Sequence, residues 1–200
     1  MRQAHASSLP IPVLVVAIVF GVALIVVVVS ALAPRRVTTY IPRETSAARP
    51  GREDTVTIDA RDPDHWRFFA FGRGVLQPPD TAGWDLGIRR FDVISSGTAA
   101  RLDVPPSSPP FDSVTAAPAT GYLPTRFARD TVNAALVHWY RYDFFSHLLR
   151  PGGRVYVLHT RSGSYIKLEF LGYYCPGPSA GCVTFRYVAS LMPLESRRFR

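Results

Sequence analysis

The C-terminal third of the chain alternates between apolar and polar residues with the period of a β-strand. Over residues 154–160, Val155 and Val157 fall on one face, and Tyr156 and Leu158 fall on the other. After a polar turn, a second run places apolar residues opposite charged ones: Ile166, Leu168 and Phe170 against Lys167 and Glu169. A third run over residues 183–187 repeats the alternation. These runs predict half-buried strands that pair as hairpins.

Further strand patterns lie upstream of this region. Residues 56–58 form a short β-branched run, residues 65–75 an aromatic-rich strand, and residues 84–94 a strand with a bulge or an end at Arg89-Arg90. Residues 131–142 start with one helical turn and continue as an aromatic strand. The pattern therefore predicts a single antiparallel all-β domain over residues 55–190, with a basic tail over residues 191–200.

Near its start the chain has an uninterrupted apolar run over residues 13–33, VLVVAIVFGVALIVVVVSALA. At a rise of about 1.5 Å per residue, a helix of this length spans about 30 Å, the thickness of a bilayer core. The run is longer than the apolar region of a usual signal peptide, and Pro34 directly follows the small residues at its end. We predict one uncleaved transmembrane helix over residues 13–33, which contacts the lipid bilayer and follows a cytoplasmic tail over residues 1–12.

The chain has two cysteines, Cys175 and Cys182, which flank a loop rich in proline and glycine between two predicted strands. This placement predicts a disulfide in an oxidising compartment, and two free thiols in a reducing compartment are the alternative. The arginines indicate the opposite orientation, with the C-terminal part in the cytoplasm. They are concentrated just after the span in residues 35–49, whereas only Arg2 precedes it. We follow the cysteines and place the domain in the periplasm, anchored in the inner (cytoplasmic) membrane.

Prolines interrupt the strand pattern in two places. Residues 34–54 have three prolines and no periodicity, which is typical of a linker. Residues 101–130 have six prolines, and so long an excursion without regular structure is usually functional. Because proline restricts the chain before binding, we expect the excursion to dock on a partner protein at low entropic cost. The expected contact residues are Phe111, Val114, Tyr122, Leu123, Arg126 and Arg129. The alternative is a loop that folds back over its own sheet and buries Phe111 and Tyr122.

Composition excludes several classes of function. The net charge of +8 comes almost wholly from arginines that are scattered along the chain, without the aromatic-interleaved basic motif of a nucleic-acid site. We therefore expect no nucleic-acid partner. The sequence lacks a nucleophile elbow, a P-loop, a zinc-protease motif and a dinucleotide fingerprint, so we expect no enzyme. No ligand spacing for a metal is present around the cysteines.

Two separated blocks of residues resemble the HmuY family. The first block is Trp84, Asp85, Leu86, Ile88, Arg90, Val93, Ser95, Ser96 and Gly97. The second comprises Trp139, Tyr140, Tyr142, Phe144 and His147, then Val155, Tyr156, Val157, Thr160, Gly163, Tyr165, Lys167, Leu168 and Phe170, then Val183, Thr184, Phe185 and Tyr187. The resemblance covers residues 55–188. It implies an all-β extracytoplasmic domain, which in some members captures haem and is lipid-anchored through an N-terminal cysteine. In this chain the helix would be the anchor.

Haem ligation needs histidines that face one cavity. His138 and His147 are the candidate haem ligands, since two imidazoles suffice for axial ligation, and a structural role at a sheet surface is the alternative for each. The sequence lacks the motif for covalent haem attachment.

Two functions remain open at this point. The first is a non-catalytic, single-pass accessory subunit that needs no cofactor and stabilises an integral membrane protein complex, of a photosynthetic or respiratory type. The second is a membrane-anchored binder of haem or porphyrin.

Overall fold

The computed structural model describes residues 10–32, 37–45, 49–78, 81–102, 109–128 and 131–193. The chain divides into two compact units, Met1–Arg36 and Val37–Arg200. The first contains a helix, and the second is built from β-strands.

The N-terminal helix, α1, runs over Ile11–Leu32 and is 22 residues long. Pro12 lies in its first turn, where a missing N–H costs no helical hydrogen bond. The backbone N–H groups of Val13 and Leu14 both donate to the carbonyl oxygen of Pro10. By length and composition the helix can cross a membrane. The bounds agree with the predicted span to within two residues, and such a helix serves as a membrane anchor or as a signal sequence.

The second unit is a set of mostly antiparallel sheets. Its strands in chain order are β1 (Glu53–Asp59), β2 (Arg67–Ala70), β3 (Gly74–Leu76), β4 (Leu86–Arg89), β5 (Asp92–Ser95), β6 (Thr98–Leu102), β7 (Ala116–Ala117), β8 (Leu123–Arg126), β9 (Val132–Asn133), β10 (Tyr140–Asp143), β11 (Leu148–Pro151), β12 (Val155–His159), β13 (Tyr165–Cys175), β14 (Ser179–Ala189) and β15 (Met192–Pro193). A 3-10 turn at Phe111–Ser113 precedes β7. The predicted all-β class is confirmed.

The main sheet has the strand order β1-β14-β13-β12-β6-β8-β9, and every neighbouring pair in it is antiparallel. Its centre is the β13–β14 hairpin, whose strands have eleven residues each. A disulfide joins Cys175 to Cys182 across the end of this hairpin, with their Cα atoms 5.0 Å apart. The predicted hairpins and the predicted disulfide are confirmed.

A second sheet has the order β3-β2-β4-β5. The predicted strand over residues 65–75 is in fact two strands, because the chain turns at residues 71–73 and Gly74 adopts a φ of 87°. The predicted strand over residues 84–94 is also interrupted, at the position that the two arginines indicated. Arg90 has a φ of 53° and marks the turn between β4 and β5.

The main core contains residues of both sheets, and β12 shows how the alternation divides them. Tyr156 and Leu158 belong to the main core with the aromatic residues of β13 and β14. Val155 and Val157 belong to a second cluster on the opposite face of the main sheet, where Phe111 packs. Both faces of β12 are therefore buried, as its four-residue apolar run VYVL suggests.

The second cluster corrects part of the predicted docking surface. Phe111 is 3% exposed and Val114 is 8% exposed, because residues 109–117, the folded-back segment, cover the main sheet. Neither side chain is free to meet a partner, and the alternative of a loop folded over its own sheet holds for this part of the excursion. The sequence pattern also placed Lys167 on the charged, solvated face of its strand, and this prediction is wrong because the side chain is only 6% exposed.

Lys167 fastens the folded-back segment to β13. Its Nζ donates hydrogen bonds to the carbonyl oxygens of Phe111 (2.9 Å) and Val114 (3.0 Å). The same Nζ lies 4.1 Å from the centroid of the Phe111 ring, and the guanidinium carbon of Arg186 lies 4.2 Å from it. One aromatic ring thus contacts two cations, an arrangement that the ring quadrupole favours.

The predicted linker and tail also belong in part to the domain. Tyr40 donates from its backbone to Tyr174 of β13 (2.9 Å), and Arg43 exchanges two backbone hydrogen bonds with Thr57 of β1. Gly172 permits this packing, because a Cβ there would overlap the ring of Tyr40. Residues 37–45 are therefore ordered against the sheet, β1 begins at Glu53, and β15 pairs with β7 inside the predicted tail.

Candidate functional site

An aromatic cleft lies where the β10–β11 hairpin meets the end of the β13–β14 hairpin. Alternation along β10 puts Tyr140 and Tyr142 on the same side of the hairpin. Leu149 of β11 is paired with Tyr142 in the antiparallel register. The cleft has a volume of about 350 Å³. Its lining is mostly aromatic: Arg90, Phe91, Tyr140, Tyr142, His147, Leu149, Tyr173, Tyr174 and Ala180. A mostly apolar concavity of this size with a few polar groups is the usual form of a small-molecule site.

Hydroxyl groups supply much of the polarity of the cleft. The backbone N–H of Leu149 donates to the hydroxyl of Tyr174 (2.9 Å), which fixes β11 to β13. The hydroxyl oxygen of Tyr173 is buried and has no hydrogen-bond partner among the described residues. Burial raises the pKa of Tyr173 and of Tyr140 above that of a free phenol. At neutral pH both phenols are therefore protonated and can donate a hydrogen bond.

His147 lies at the rim of this cleft in a left-handed conformation, with a φ of 55°. Its Nδ1 is hydrogen-bonded to the hydroxyl of Tyr142. His138 is exposed in the turn before Trp139, is not part of the cleft lining, and accepts at its backbone oxygen a hydrogen bond from Arg154 (2.6 Å). The structure does not bring the two candidate ligands to one cavity, so the cleft offers a single imidazole. These residues do not fit a bis-imidazole haem site.

A larger cleft of about 1130 Å³ lies beside Trp66 and contains charged residues. Most of them are paired with each other: Arg61 with Asp59, Arg67 with Glu44, and His65 with Asp62. Arg61 binds Asp59 at 2.6 Å, and the hydrogen bond from Arg61 lowers the pKa of Asp59. The described residues contain no group of three or more histidine, cysteine or acidic side chains that could hold a metal ion.

Three of the remaining predicted contact residues lie just after the folded-back segment, in residues 122–127, which we name the exposed strip. Tyr122 is half-buried, with its ring edge toward the rings of His159 and Tyr165. Leu123 is 44% exposed and Arg126 is also exposed. Arg129 lies outside the described residues.

The exposed strip contains one more apolar residue that the sequence reading missed. Phe127, directly after β8, is 62% exposed. The sequence does contain a sign that Phe127 is exposed. It lies between Arg126 and Arg129, in a basic run that offers no large apolar neighbour.

Comparison with solved structures identifies proteins that have a similar fold. No protein-family model matches the chain, and no curated protein matches it by sequence. Among solved structures, the chain is similar to the apo form of the Tannerella forsythia HmuY analog, with a TM-score of 0.58 and 18% identity over 72% of this chain and 99% of that one.

Two other structures have the same fold. A Bacteroides vulgatus protein assigned as HmuY-like and heme-binding gives a TM-score of 0.56 with 18% identity, over 73% of this chain and 97% of that one. Apo PinO from Porphyromonas gingivitis gives 0.53 with 11% identity, over 70% of this chain and 97% of that one. The chain has the HmuY-like all-β fold, to which it adds an N-terminal apolar helix.

Proposed function

We propose that this protein is a non-catalytic, membrane-anchored accessory subunit whose β domain docks, outside the cytoplasm, on an integral membrane protein complex. The observation that carries the proposal is the exposed strip. It presents to solvent Leu123 and Arg126 of β8, a strand that pairs within the main sheet, and Phe127, which directly follows β8. Aromatic residues and arginine are enriched at the centre of protein interfaces, where they contribute most of the binding energy.

Thr125 holds this strip rigidly. Its hydroxyl donates to the carbonyl oxygen of Ser95 (2.7 Å) and accepts from the N–H of Ser95 (3.0 Å). The side-chain amide of Asn133 donates to the backbone oxygen of Leu123 (3.1 Å) and to the Thr125 hydroxyl (3.3 Å). A surface that is ordered before it meets its partner loses little conformational entropy on binding, which favours docking.

The helix α1 supports a partner within the membrane. Its sequence over Ile11–Leu32 has no charged residue, and by length and composition it can cross a membrane. A helix of this kind confines the chain to the plane of a bilayer, where its neighbours are other membrane proteins. The disulfide between Cys175 and Cys182 supports an oxidising compartment for the domain.

The test is copurification of the full chain from detergent-solubilised membranes. We expect Leu123→Ser combined with Phe127→Ser to reduce recovery of the partner complex about tenfold, since two interface anchors are lost. The matched control is Ile41→Ser, which removes another exposed large apolar residue (77% exposed) outside the strip. Circular dichroism should show that all variants remain folded. Equal recovery of the complex with the double variant would overturn the proposal.

Haem binding is the second candidate function. It is favoured by the structural similarity to a protein assigned as heme-binding and by the aromatic cleft with His147 at its rim. The cleft offers one axial imidazole, so His147→Ala should abolish the sharpening and shift of the haem Soret band that binding causes, while His138→Ala should leave them unchanged. If haem with the unaltered chain keeps the spectrum of free haem, this candidate is excluded.

A further inference from the structure

The turn of the β10–β11 hairpin exposes two adjacent phenylalanines, which we name the aromatic tip. Phe144 is 73% exposed and Phe145 is 89% exposed, with their ring centroids 5.9 Å apart. Single apolar residues are common on protein surfaces, but two neighbouring rings at the end of a hairpin form a convex apolar patch. A convex patch of this kind inserts into an apolar medium more readily than it receives a ligand.

The turn is built to hold the rings in this position. The carboxylate of Asp143 accepts hydrogen bonds from the N–H groups of Phe145 (3.0 Å) and Ser146 (3.0 Å). The bond from Ser146 lowers the pKa of Asp143, so the cap is ionised at neutral pH. His147 closes the turn in its left-handed conformation and bonds to Tyr142. The phenylalanines therefore project from an ordered turn.

Two arginines lie at the base of the same hairpin. Arg141 and Arg150 are directly opposite each other in the antiparallel register, and both are exposed. Like charges at directly opposed positions destabilise a strand pair, and the carboxylate of Asp143, whose pKa Arg150 lowers, compensates part of this charge. Phenylalanines at the tip and arginines behind them match the layers of a bilayer surface, where acyl chains lie below anionic headgroups.

The hairpin lies beside the start of the β unit. Val37 and Thr38, the first described residues of this unit, line a small cavity together with Leu149, Arg150 and Pro151 of β11. The part of the β unit that begins at Val37 and the hairpin that carries the aromatic tip are therefore neighbours.

We propose that the aromatic tip is a second membrane contact, in which Phe144 and Phe145 enter the headgroup–acyl boundary while Arg141 and Arg150 bind lipid phosphates. The inference rests on the anchoring part of the proposed function and is independent of any partner complex. Its consequence is that the β domain contacts the bilayer surface directly and is not held there by α1 alone.

The experiment uses the purified full chain in vesicles of phosphatidylcholine mixed with phosphatidylglycerol. Phe145→Trp places an indole at the tip, and its emission is obtained by subtracting that of the unaltered chain. Lipids brominated on the acyl chain should quench this emission about twofold, since an interfacial ring lies within reach of the upper acyl carbons. The matched control is Phe127→Trp in the exposed strip, whose emission should be unaffected.

A second pair of variants tests the arginines. Arg141→Gln with Arg150→Gln, in the Phe145→Trp background, should reduce the quenching and remove its dependence on phosphatidylglycerol. Flotation with the vesicles reports the helix anchor separately. If the chain floats but the tip tryptophan emits as in water, the proposal is overturned and the anchor stands. If the chain does not float, both the anchor and this inference are overturned.

Discussion

Residues 109–117 and residues 122–127 belong to one proline-rich stretch, yet the first segment is buried against the main sheet and the second is exposed. Both contain large apolar residues between prolines. The folded-back segment ends over β12 and β13, where Val157 and Lys167 lie beneath Phe111. The exposed strip includes strand β8 of the main sheet, and its side chains Leu123 and Phe127 remain exposed.

The difference shows that apolar content does not decide whether a segment becomes core or interface. What decides is whether the underlying strand offers a partner for the backbone of the segment. Lys167 donates hydrogen bonds to the carbonyl oxygens of Phe111 and Val114, which precede the short strand β7 in the folded-back segment. In the exposed strip the backbone is already satisfied by β6 and β9, so that its side chains remain available.

The largest expected effect comes from removing the lysine. Lys167→Met keeps the length of the side chain but leaves the carbonyl oxygens of Phe111 and Val114 without their donor. We expect the free energy of unfolding to fall by about 3 kcal/mol, because hydrogen bonds to a buried charge are strong and the orphaned carbonyls must be desolvated or released. Urea unfolding of the full chain in detergent measures the change.

Arg52→Met is the control for this variant, since it removes an exposed cation, and it should change the free energy of unfolding by less than about 0.5 kcal/mol. Hydrogen exchange adds a local measure. Amides in residues 109–117 should exchange faster in Lys167→Met, while those of β8 should not. Unchanged exchange in the folded-back segment would show that its apolar contacts alone hold it in place.

The next effect concerns the exposed strip. Thr125→Val keeps the shape of the side chain but leaves the N–H and carbonyl oxygen of Ser95 unsatisfied. We expect a loss of about 2 kcal/mol in the free energy of unfolding, together with weaker docking, because the strip is no longer ordered in advance. Thr120→Val, at an exposed position, is the control. A normal stability with Thr125→Val would show that Asn133 alone fixes the strand.

Much of this fold follows from the sequence, since period-two alternation marks β12, β13 and β14 and the paired cysteines mark the end of a hairpin. The apolar run over residues 13–33 predicts the helix α1 equally directly. The turns that interrupt the predicted strands over residues 65–75 and 84–94 were harder to predict. Gly74 and Arg90 adopt positive φ values there, which an apolar alternation does not reveal. A strand pattern records which residues face inward, but it does not record where the chain reverses.

The candidate site was less accessible to prediction. Lys167 has the alternating position of a surface residue, and only the loop that folds over it from residues 109–117 makes it buried. The cleft at His147 combines residues from β10, β11, β13 and the turn after β4, which are distant in sequence. Contacts of this kind depend on tertiary packing, which overrides the local pattern.

A smaller effect isolates the aromatic ring of the folded-back segment. Phe111→Leu keeps an apolar side chain but removes the π face that Lys167 and Arg186 contact. We expect a cost of about 1 kcal/mol in the free energy of unfolding, and a smaller cost when the same change is made in the Lys167→Met background. A double-mutant cycle from urea unfolding gives the coupling. Equal costs in both backgrounds would show that the ring acts through its apolar area alone.

The smallest effect is the pH dependence of stability that Lys167 contributes beneath the folded-back segment. Burial lowers the pKa of Lys167 below its ordinary value of 10.5, and this outweighs the attraction of Asp112 and Glu53. Between the lowered pKa of the folded protein and 10.5, the folded chain has released the Lys167 proton while the unfolded chain still binds it. The unfolded state then holds more protons, so stability should rise with pH across this window.

The neutral amine still has protons to donate to the carbonyl oxygens of Phe111 and Val114, so deprotonation need not release the segment. The measurement is the free energy of unfolding of the unaltered chain minus that of Lys167→Met, from about pH 8 to about pH 10.5, in which the titration of other groups cancels. This difference should increase with pH. A difference that falls over the same range would mean that the hydrogen bonds and the Phe111 ring stabilise the ammonium by more than burial destabilises it, and that the folded-back segment is held by a charge and not by a neutral amine.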